Sequence, residues 1–366
     1  MAKRIAQIDG YRGLLLFGMT WNHLILFPFI GIEGLRNWLF AYVYNSCGYF
    51  SNSEGFFFLA GLVSGLVYGR RVLEGENVWR RVKGRIFQMY LAHILLLLGV
   101  SVALCLSTKY LESWIELHEL IPIWKGQEGI LYFLNHPVQG FFLGACFLYA
   151  LPFFDILPLF MLFLAVTPMI LEQLRKERMI AVLRTSIALW IFVQVIPSIG
   201  LEGIMKQWLP VKLGWFNPFA VQLLFIAGLA IGFAYVRGSL ISVKKLILMV
   251  LALLLITYSI FRLGSVDLLR ADCLGFARLS FFFVKAVIAY LLLRHIPFRP
   301  FEILGRNSLP IFVYHLILVY VMTSFLPIFL KMPIELQLIS LFACIASLWV
   351  VANALEKKAL QSLFVR

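Results

Sequence analysis

The sequence predicts an all-α, polytopic membrane protein with about ten transmembrane helices and with both termini in the cytoplasm. Two observations carry this prediction. Of the 366 residues, 62% are hydrophobic and 14% are charged, whereas a soluble domain carries about 25% charged residues. Apolar runs also recur near the length of about 20 residues that a bilayer-spanning helix needs, and the mean hydropathy is +0.91. This composition excludes an ordinary cytosolic enzyme, a disordered regulator and a nucleic-acid-binding module.

Each predicted span is an apolar run bounded by charged residues, proline or glycine. The runs cover residues 13–30, 50–68, 86–107, 152–171, 186–197, 216–236, 246–261, 275–293, 308–330 and 336–355. The first run follows Lys3 and Arg4, as in a signal peptide, but no small-x-small cleavage site comes after it. We therefore expect a retained helix and a single integral-membrane domain over residues 1–366.

Basic residues cluster in the loops between alternate spans. With a cytoplasmic N-terminus, most of the 32 Lys and Arg residues fall on the cytoplasmic side, which is the bias that cytoplasmic loops show. The topology therefore explains the formal net charge of +14, and this charge does not indicate a nucleic acid as partner.

One insertion interrupts the short loops, at about residues 108–150 on the predicted outer side. Its second half is apolar but is broken by Asn135, His136 and Pro137, so we expect it to lie in the outer interface or to re-enter the membrane. The insertion also carries acidic and aromatic residues. Acidic and aromatic side chains suit a hydroxyl-rich ligand such as a sugar. A solvent-exposed loop anchored by interfacial tryptophans also explains them.

Two absences in the sequence narrow the function classes further. The five cysteines are odd in number and form no CxxC pair, so neither a disulfide framework nor a metal site is expected. The sequence also shows no internal repeat and no matched pair of interrupted helices, which are usual in inverted-repeat transporters.

The strongest candidate functional group of polar residues lies in or just before the first span. It consists of Asp9, Arg12, Asn22 and His23. Arg12 and His23 are eleven residues apart, or three turns plus about 20°, so they share one face of a helix and lie about 16 Å apart along its axis. This spacing places a fixed cation near the inner interface and a titratable imidazole near mid-bilayer. Alternatively, Asp9 pairs with Arg12 at the start of the helix, and His23 hydrogen-bonds a neighbouring helix.

Other ionisable residues lie in or near the predicted spans, namely Glu54, His93, Asp155, Lys285 and His315. Such groups are costly at bilayer depth and often functional. Glu54 could orient His23 and stabilise its charged form, or it could lie at the outer headgroup level. His93 and His315 share the predicted depth of His23, and each could instead pair with a backbone carbonyl.

The loop between the second and third spans is rich in arginine. Arg81 and Arg85 are four residues apart and project from one side of the third helix, with Lys83 between them and Arg70 at the other end of the loop. Guanidinium groups suit phosphate because their planar fork holds two oxygens. The ordinary positive-inside bias is the alternative explanation.

Several of these segments resemble the acyltransferase-3 superfamily of membrane acyltransferases. Residues 8–13 (IDGYRG) followed by His23 resemble its first-span signature, an Arg or Lys, ten residues and a His. Residues 54–61 (EGFFFLAG) resemble its phenylalanine-rich second span, with Ala60 where Ser is usual. The chain is more closely similar to the OpgC branch, through residues 67–70, 153–158, 215–222 and 304–309 leading to His315. Arg81 and Arg85 are four residues apart, whereas the superfamily often has arginines three apart here.

This resemblance implies a multi-pass enzyme of the bacterial inner membrane that transfers a succinyl or acetyl group from acyl-CoA to a periplasmic glycan. OpgC-branch members succinylate osmoregulated periplasmic glucans. Acyl-CoA is then a co-substrate, and no cofactor is bound permanently. The implied catalytic residues are His23, as general base or brief acyl carrier, with Glu54, Asp9 and Arg12 tuning it. The implied acyl-CoA-binding residues are Arg70, Arg81, Lys83 and Arg85, and the supporting residues are Asn22, Asp155 and His315.

Two other functions stay open from the sequence. The first is a proton-coupled exporter or flippase of a glycan or small molecule, in which His23, Glu54, His93 and His315 form a proton relay. The missing repeat symmetry and the cytoplasmic arginines favour the acyltransferase over it. The second is a catalytically idle scaffold in a glycan-synthesis complex.

Overall fold

The computed structural model describes residues 5–29, 31–38, 52–106, 129–195, 216–239, 274–293 and 298–357, together with positions 248, 251, 255 and 258. None of the described residues lies in a strand. The helices are α1 (Ala6–Leu26), α2 (Glu33–Trp38), α3 (Asn52–Leu73), α4 (Trp79–Leu106), α5 (Gly129–Asn135), α6 (Pro137–Ala145), α7 (Ile156–Arg175), α8 (Met179–Val195), α9 (Pro218–Val236), α10 (Phe276–Leu293), α11 (Arg299–Arg306), α12 (Ser308–Thr323), α13 (Leu326–Phe329) and α14 (Ile334–Glu356).

Five of these helices are long and apolar enough to cross a bilayer, namely α3, α4, α7, α9 and α14. The pair α11 and α12 passes the same test together but bends by 88° at its junction, which gives up to six candidate spans in the described part of the chain. The prediction of an all-helical, multi-pass membrane protein is therefore confirmed. The total of about ten spans stays a prediction, and the seventh of them, residues 246–261, lies outside the described residues apart from four isolated positions.

Some predicted boundaries differ from the observed ones. The helix α8 begins at Met179, earlier than the predicted run 186–197. The predicted run 308–330 is not one helix, because α12 ends at Thr323 and the short helix α13 follows. The second half of the predicted insertion forms α5 and α6, which meet at His136 just before Pro137. A proline there starts a new helix readily, since it lacks the N–H that a helix interior needs.

Local signals explain where several helices begin. Asn217 caps α9 through a 2.9 Å hydrogen bond from the Phe219 N–H to its side-chain oxygen, and Pro218 follows as the first helical residue. Between α3 and α4 the chain turns at Gly75, whose φ is +83°, a conformation that glycine adopts without steric cost. The Asn77 side chain then accepts a 3.0 Å hydrogen bond from the Trp79 N–H at the start of α4.

Glycines bring α3 and α9 into close contact. A Cβ atom at Gly61 or Gly65 would overlap the backbone of α9, and one at Gly228 or Gly232 would overlap the backbone of α3. Each pair is four residues apart, so the glycines form a facing small-residue stripe on each helix. We call this contact the glycine seam. It fixes α3 against α9 along one face of α3.

A second close contact holds α11 across the start of α1. A Cβ at Gly13 would overlap the Phe301 carbonyl group, and one at Gly305 would overlap the backbone of Asp9. At the same end of the bundle, Arg306 forms a 3.0 Å ion pair with Glu356 at the end of α14. The start of α1 and the end of α14 therefore lie at one end of the bundle, and the junction of α11 and α12 is placed beside α1.

Candidate active site

A cavity of about 280 Å³ lies among α1, α3, α4, α7, α9 and α12. Its lining is mostly apolar but includes two arginines, Arg12 and Arg85. The other lining residues are Phe56, Ala60, Val63, Ser64, Val67, Tyr68, Met89, Leu157, Phe160, Leu164, Phe225, Ser308, Leu309 and Phe312. A concave, mainly apolar space with a few convergent polar groups is the usual form of a small-molecule site.

The cavity is long and its two ends differ. Along α3 it extends from Phe56 to Tyr68, which is about 18 Å at the rise of an α-helix. Tyr68 and Arg85 form one end, which we call the basic end. Here the guanidinium groups of Arg71, Arg81 and Arg85 lie within electrostatic range of the Tyr68 hydroxyl. Phe56, Leu157 and Phe312 form the other end, which we call the apolar end.

Arg12 reaches the cavity from α1 and contacts the start of α12. Its Nη2 donates a 2.5 Å hydrogen bond to the Ser308 hydroxyl, and both residues line the cavity. This contact depends on the bend between α11 and α12, because the close packing of α11 on α1 delivers the first residue of α12 to Arg12. Asp9, one turn earlier on α1, is buried at 6% exposure.

His23 contacts a second residue of the same helix, His315. The Nε2 atom of His315 lies 3.3 Å from the Nδ1 atom of His23, so one imidazole donates a proton and the other accepts it. Both rings are buried, at 9% and 0% exposure. Arg12 and His23 thus both face α12, as their spacing predicts. His23 also hydrogen-bonds a neighbouring helix, as the alternative interpretation expected.

Phe153 fixes the plane of the His23 ring. The two rings stack with their centroids 3.8 Å apart and their planes 18° apart. The φ of Phe153 is +67°, a left-handed conformation that is uncommon for a residue other than glycine and costs free energy. The surrounding structure therefore holds the backbone of Phe153 in an unfavourable conformation while its ring lies flat against the imidazole.

The cavity stops just short of this histidine pair. Along α12 it extends from Ser308 to Phe312, and His315 lies three residues, or about 4.5 Å, further along the axis. The Phe312 ring contacts the His315 ring with centroids 5.1 Å apart. His23 is not among the residues that line the cavity. A molecule in the cavity would therefore meet Phe312 before it reached His23.

Glu54 has a partner other than His23. Arg278 on α10 donates from its Nε atom to Glu54 Oε1, and the two side chains are 5% and 2% exposed. This ion pair gives Glu54 a buried partner that the sequence analysis did not include. A role of Glu54 in orienting His23 stays a prediction, and so does its depth in the membrane.

The supporting residues of the prediction have different positions. Asp155 is buried and its Oδ2 atom accepts a 3.1 Å hydrogen bond from the Phe216 N–H, so it fixes the chain just before α9. Asn22 is half-buried and projects about 100° around α1 from His23. His93 is buried, and its Nε2 atom lies 3.0 Å from the Gly144 carbonyl oxygen, the backbone pairing that the sequence analysis allowed.

The structure separates the four predicted acyl-CoA-binding residues. Arg85 lines the cavity and donates a 3.1 Å hydrogen bond to Gln88. Arg81 is exposed and lies near Tyr68 at the basic end. Lys83 is exposed. Arg70 is exposed and forms a 3.1 Å ion pair with Glu74.

Sequence reasoning missed several residues of this region. Arg278 interrupts the apolar run 275–293, and an intramembrane charge is a recognisable signal. Ser308 and Tyr68 are ordinary span-end residues, and nothing in the sequence marks their contacts with Arg12 or the arginines. Phe153 lies in a motif that the resemblance included, but its stacking on His23 depends on a contact between distant segments.

The fold and the cavity define a multi-pass helical membrane protein with a site between its helices. The site has arginines at one end and a histidine pair beyond the other. The family described as OpgC protein matches residues 4–359, and the chain therefore belongs to this family. Membership implies an acyltransferase-like enzyme with a glucan-modifying function. No curated protein and no solved structure matches the chain.

Proposed function

We propose that the protein is a membrane-embedded O-acyltransferase that moves a succinyl or acetyl group from cytoplasmic acyl-CoA to a hydroxyl of a periplasmic glycan, an osmoregulated glucan. One observation supports this proposal above the others. A single cavity joins Arg85 at the basic end to Arg12 and Ser308, and it ends beside the pair of His315 and His23.

The donor enters from the basic end. Arginines concentrate on the cytoplasmic side of membrane proteins, which is where acyl-CoA is found. Guanidinium groups at this end suit its phosphates, and the apolar lining suits the acyl-pantetheine arm. A donor that fills the cavity displaces water from it, which limits hydrolysis of the thioester.

His23 acts on the acceptor hydroxyl. Because its Nδ1 atom is engaged by His315, its Nε2 atom takes the hydroxyl proton while the hydroxyl oxygen attacks the thioester carbonyl carbon. The carbon–sulfur bond then breaks, the ester remains on the glycan, and the CoA thiolate leaves and takes the proton back from His23. Brief transfer of the acyl group to His23 itself is the covalent variant of this route.

The thioester reaches His23 only if the Phe312 ring moves. This ring lines the apolar end of the cavity and contacts His315. In this scheme Phe312 keeps the histidine pair covered until a donor fills the cavity, while Phe153 holds the imidazole plane. Asn22 and His315 are the candidate donors to the oxyanion of the tetrahedral intermediate.

The test compares two buried histidines in purified protein reconstituted in lipid vesicles. His23→Gln should lower transfer from radiolabelled succinyl-CoA or acetyl-CoA to periplasmic glucan by about a hundredfold or more, the scale of a lost general base. His93→Gln is the matched control, because His93 is equally buried but bonded to the Gly144 carbonyl, and glutamine can keep that bond. Full activity in a folded His23→Gln protein would contradict the proposal.

A further inference from the structure

A second cavity lies at the basic end of the bundle, between the α3–α4 turn and the end of α7. Its volume is about 290 Å³, and we call it the turn groove. Polar and charged side chains contribute more to this lining than to the first cavity. The lining residues are Val72, Gly75, Glu76, Asn77, Val78, Trp79, Pro168, Glu172 and Arg175.

The turn groove continues the line of the first cavity. On α3, Tyr68 lines the first cavity and Val72, four residues later, lines the turn groove. On α7, Leu164 lines the first cavity and Pro168, again four residues later, lines the turn groove. Residues four apart lie on one face of a helix. On both α3 and α7, therefore, the face that lines the first cavity also lines the turn groove one helical turn later.

The region between the two spaces is basic. Tyr68 lies there, and the guanidinium groups of Arg71, Arg81 and Arg85 are within electrostatic range of its hydroxyl. Guanidinium groups such as those of Arg81 and Arg85 are suited to a diphosphate, because their planar fork can hold two of its oxygens. Arg71 also forms a 2.8 Å ion pair with Glu76, a residue of the turn groove, so this cluster and the groove are in direct contact.

We infer that the turn groove binds the adenosine part of acyl-CoA, an inference that rests on the proposed function. The diphosphate then lies beside Arg81 and Arg85, and the pantetheine arm extends along the first cavity toward Phe312. One extended ligand with an aromatic base, a diphosphate link and an uncharged arm matches three adjoining environments in the same order.

Two side chains that line the turn groove can bind a purine base. Trp79 offers an indole ring for stacking on the base, and the Asn77 cap fixes the backbone of Trp79 at the first turn of α4. Glu172 offers a carboxylate acceptor for an exocyclic amine, and Arg175 holds this carboxylate with hydrogen bonds of 2.8 and 2.9 Å. Stacking on an aromatic side chain is a common way for proteins to bind a nucleotide base.

The experiment compares acyl-CoA with acyl-pantetheine, which has the same thioester but no nucleotide, in the reconstituted protein. Trp79→Ala should raise the KM for acyl-CoA about tenfold and leave the KM for acyl-pantetheine and both kcat values unchanged. Trp79→Phe should restore most of the KM. Tyr235→Ala is the matched control, since Tyr235 is an exposed aromatic residue near the end of α9 and does not line the turn groove.

Each remaining outcome has one interpretation. If Trp79→Ala shifts the KM of both donors equally, or of neither, the turn groove does not bind the nucleotide. If the variant does not fold, Glu172→Ala replaces it in the same comparison and should raise only the KM for acyl-CoA. If the unmodified protein transfers from neither donor while it is well folded, the proposed function fails instead.

Discussion

Arg278, which is buried, and Arg12, which is half-buried, show different uses of a charge inside this helix bundle. Arg278 is bonded to the carboxylate of Glu54, and neither residue lines the cavity. Arg12 donates to the neutral hydroxyl of Ser308, and both residues line the cavity. Burial of a charge in a membrane protein therefore does not by itself identify a binding site. What separates a structural ion pair from a site residue here is the presence of open space beside the charged group.

The largest expected effect is a loss of stability when the buried ion pair of Glu54 and Arg278 is broken. Glu54→Ala leaves the Arg278 guanidinium buried without its carboxylate, and removing one partner of a buried ion pair costs about 3–5 kcal/mol of folding free energy. The variant should therefore lose most of its folded, monodisperse fraction in detergent and show a lower thermal unfolding midpoint.

Two further variants test this explanation. The double variant Glu54→Gln with Arg278→Met should recover much of the stability, because no charge is then left buried. Glu74→Ala removes the carboxylate of an exposed pair with Arg70 and should change stability little. Equal losses for Glu54→Ala and Glu74→Ala would contradict the role assigned to the buried pair.

The next largest effect is a change in the KM for acyl-CoA, and it should differ between Arg85 and Arg70, two of the predicted acyl-CoA-binding residues. Arg85→Ala should raise the KM for acyl-CoA between tenfold and a hundredfold, because a hydrogen bond to a charged group contributes about 1.5–3 kcal/mol. Arg70→Ala should leave this KM nearly unchanged, since Arg70 is exposed and bonded to Glu74. Steady-state kinetics at varied acyl-CoA concentration measures both. If the two variants have the same KM, the loop acts only as a topology signal.

The smallest effect concerns the hydroxyl that holds Arg12. Ser308→Ala removes one hydrogen bond that positions Arg12 but leaves the guanidinium group itself in place. The variant should therefore lower kcat/KM only several-fold, and its thermal unfolding midpoint should fall no further than that of the control variant. Ser347→Ala is that control, because Ser347 accepts a 2.8 Å hydrogen bond from Tyr314 and does not line the cavity. A loss of activity in Ser347→Ala as large as in Ser308→Ala would show that the effect is one of packing.

Properties set within one helix could be predicted from the sequence. The apolar runs gave the all-helical class because bilayer thickness fixes the length of a span. The shared face of Arg12 and His23 followed from the helical period alone, and both residues contact α12.

Properties set between distant helices could not be predicted. Glu54 and Arg278 are 224 positions apart, and no local pattern states which helix will lie beside which. The bend of 88° between α11 and α12 depends on the packing of α11 against α1, and this bend brings Ser308 to Arg12. The arginine loop was recognisable as basic, but only the fold shows that Arg85 faces the cavity and Arg70 does not.

The glycine seam leaves α3 with two unequal faces. One face admits no side chain beyond hydrogen at Gly61 and Gly65, while Ala60 and Val63 border empty space. The side chains at Ala60 and Val63 therefore set the width of that space. Under the proposed function, a few substitutions on this side of a single helix are enough to change the bulk of the acyl chain that a related enzyme accepts, while the glycines that hold α3 against α9 stay in place.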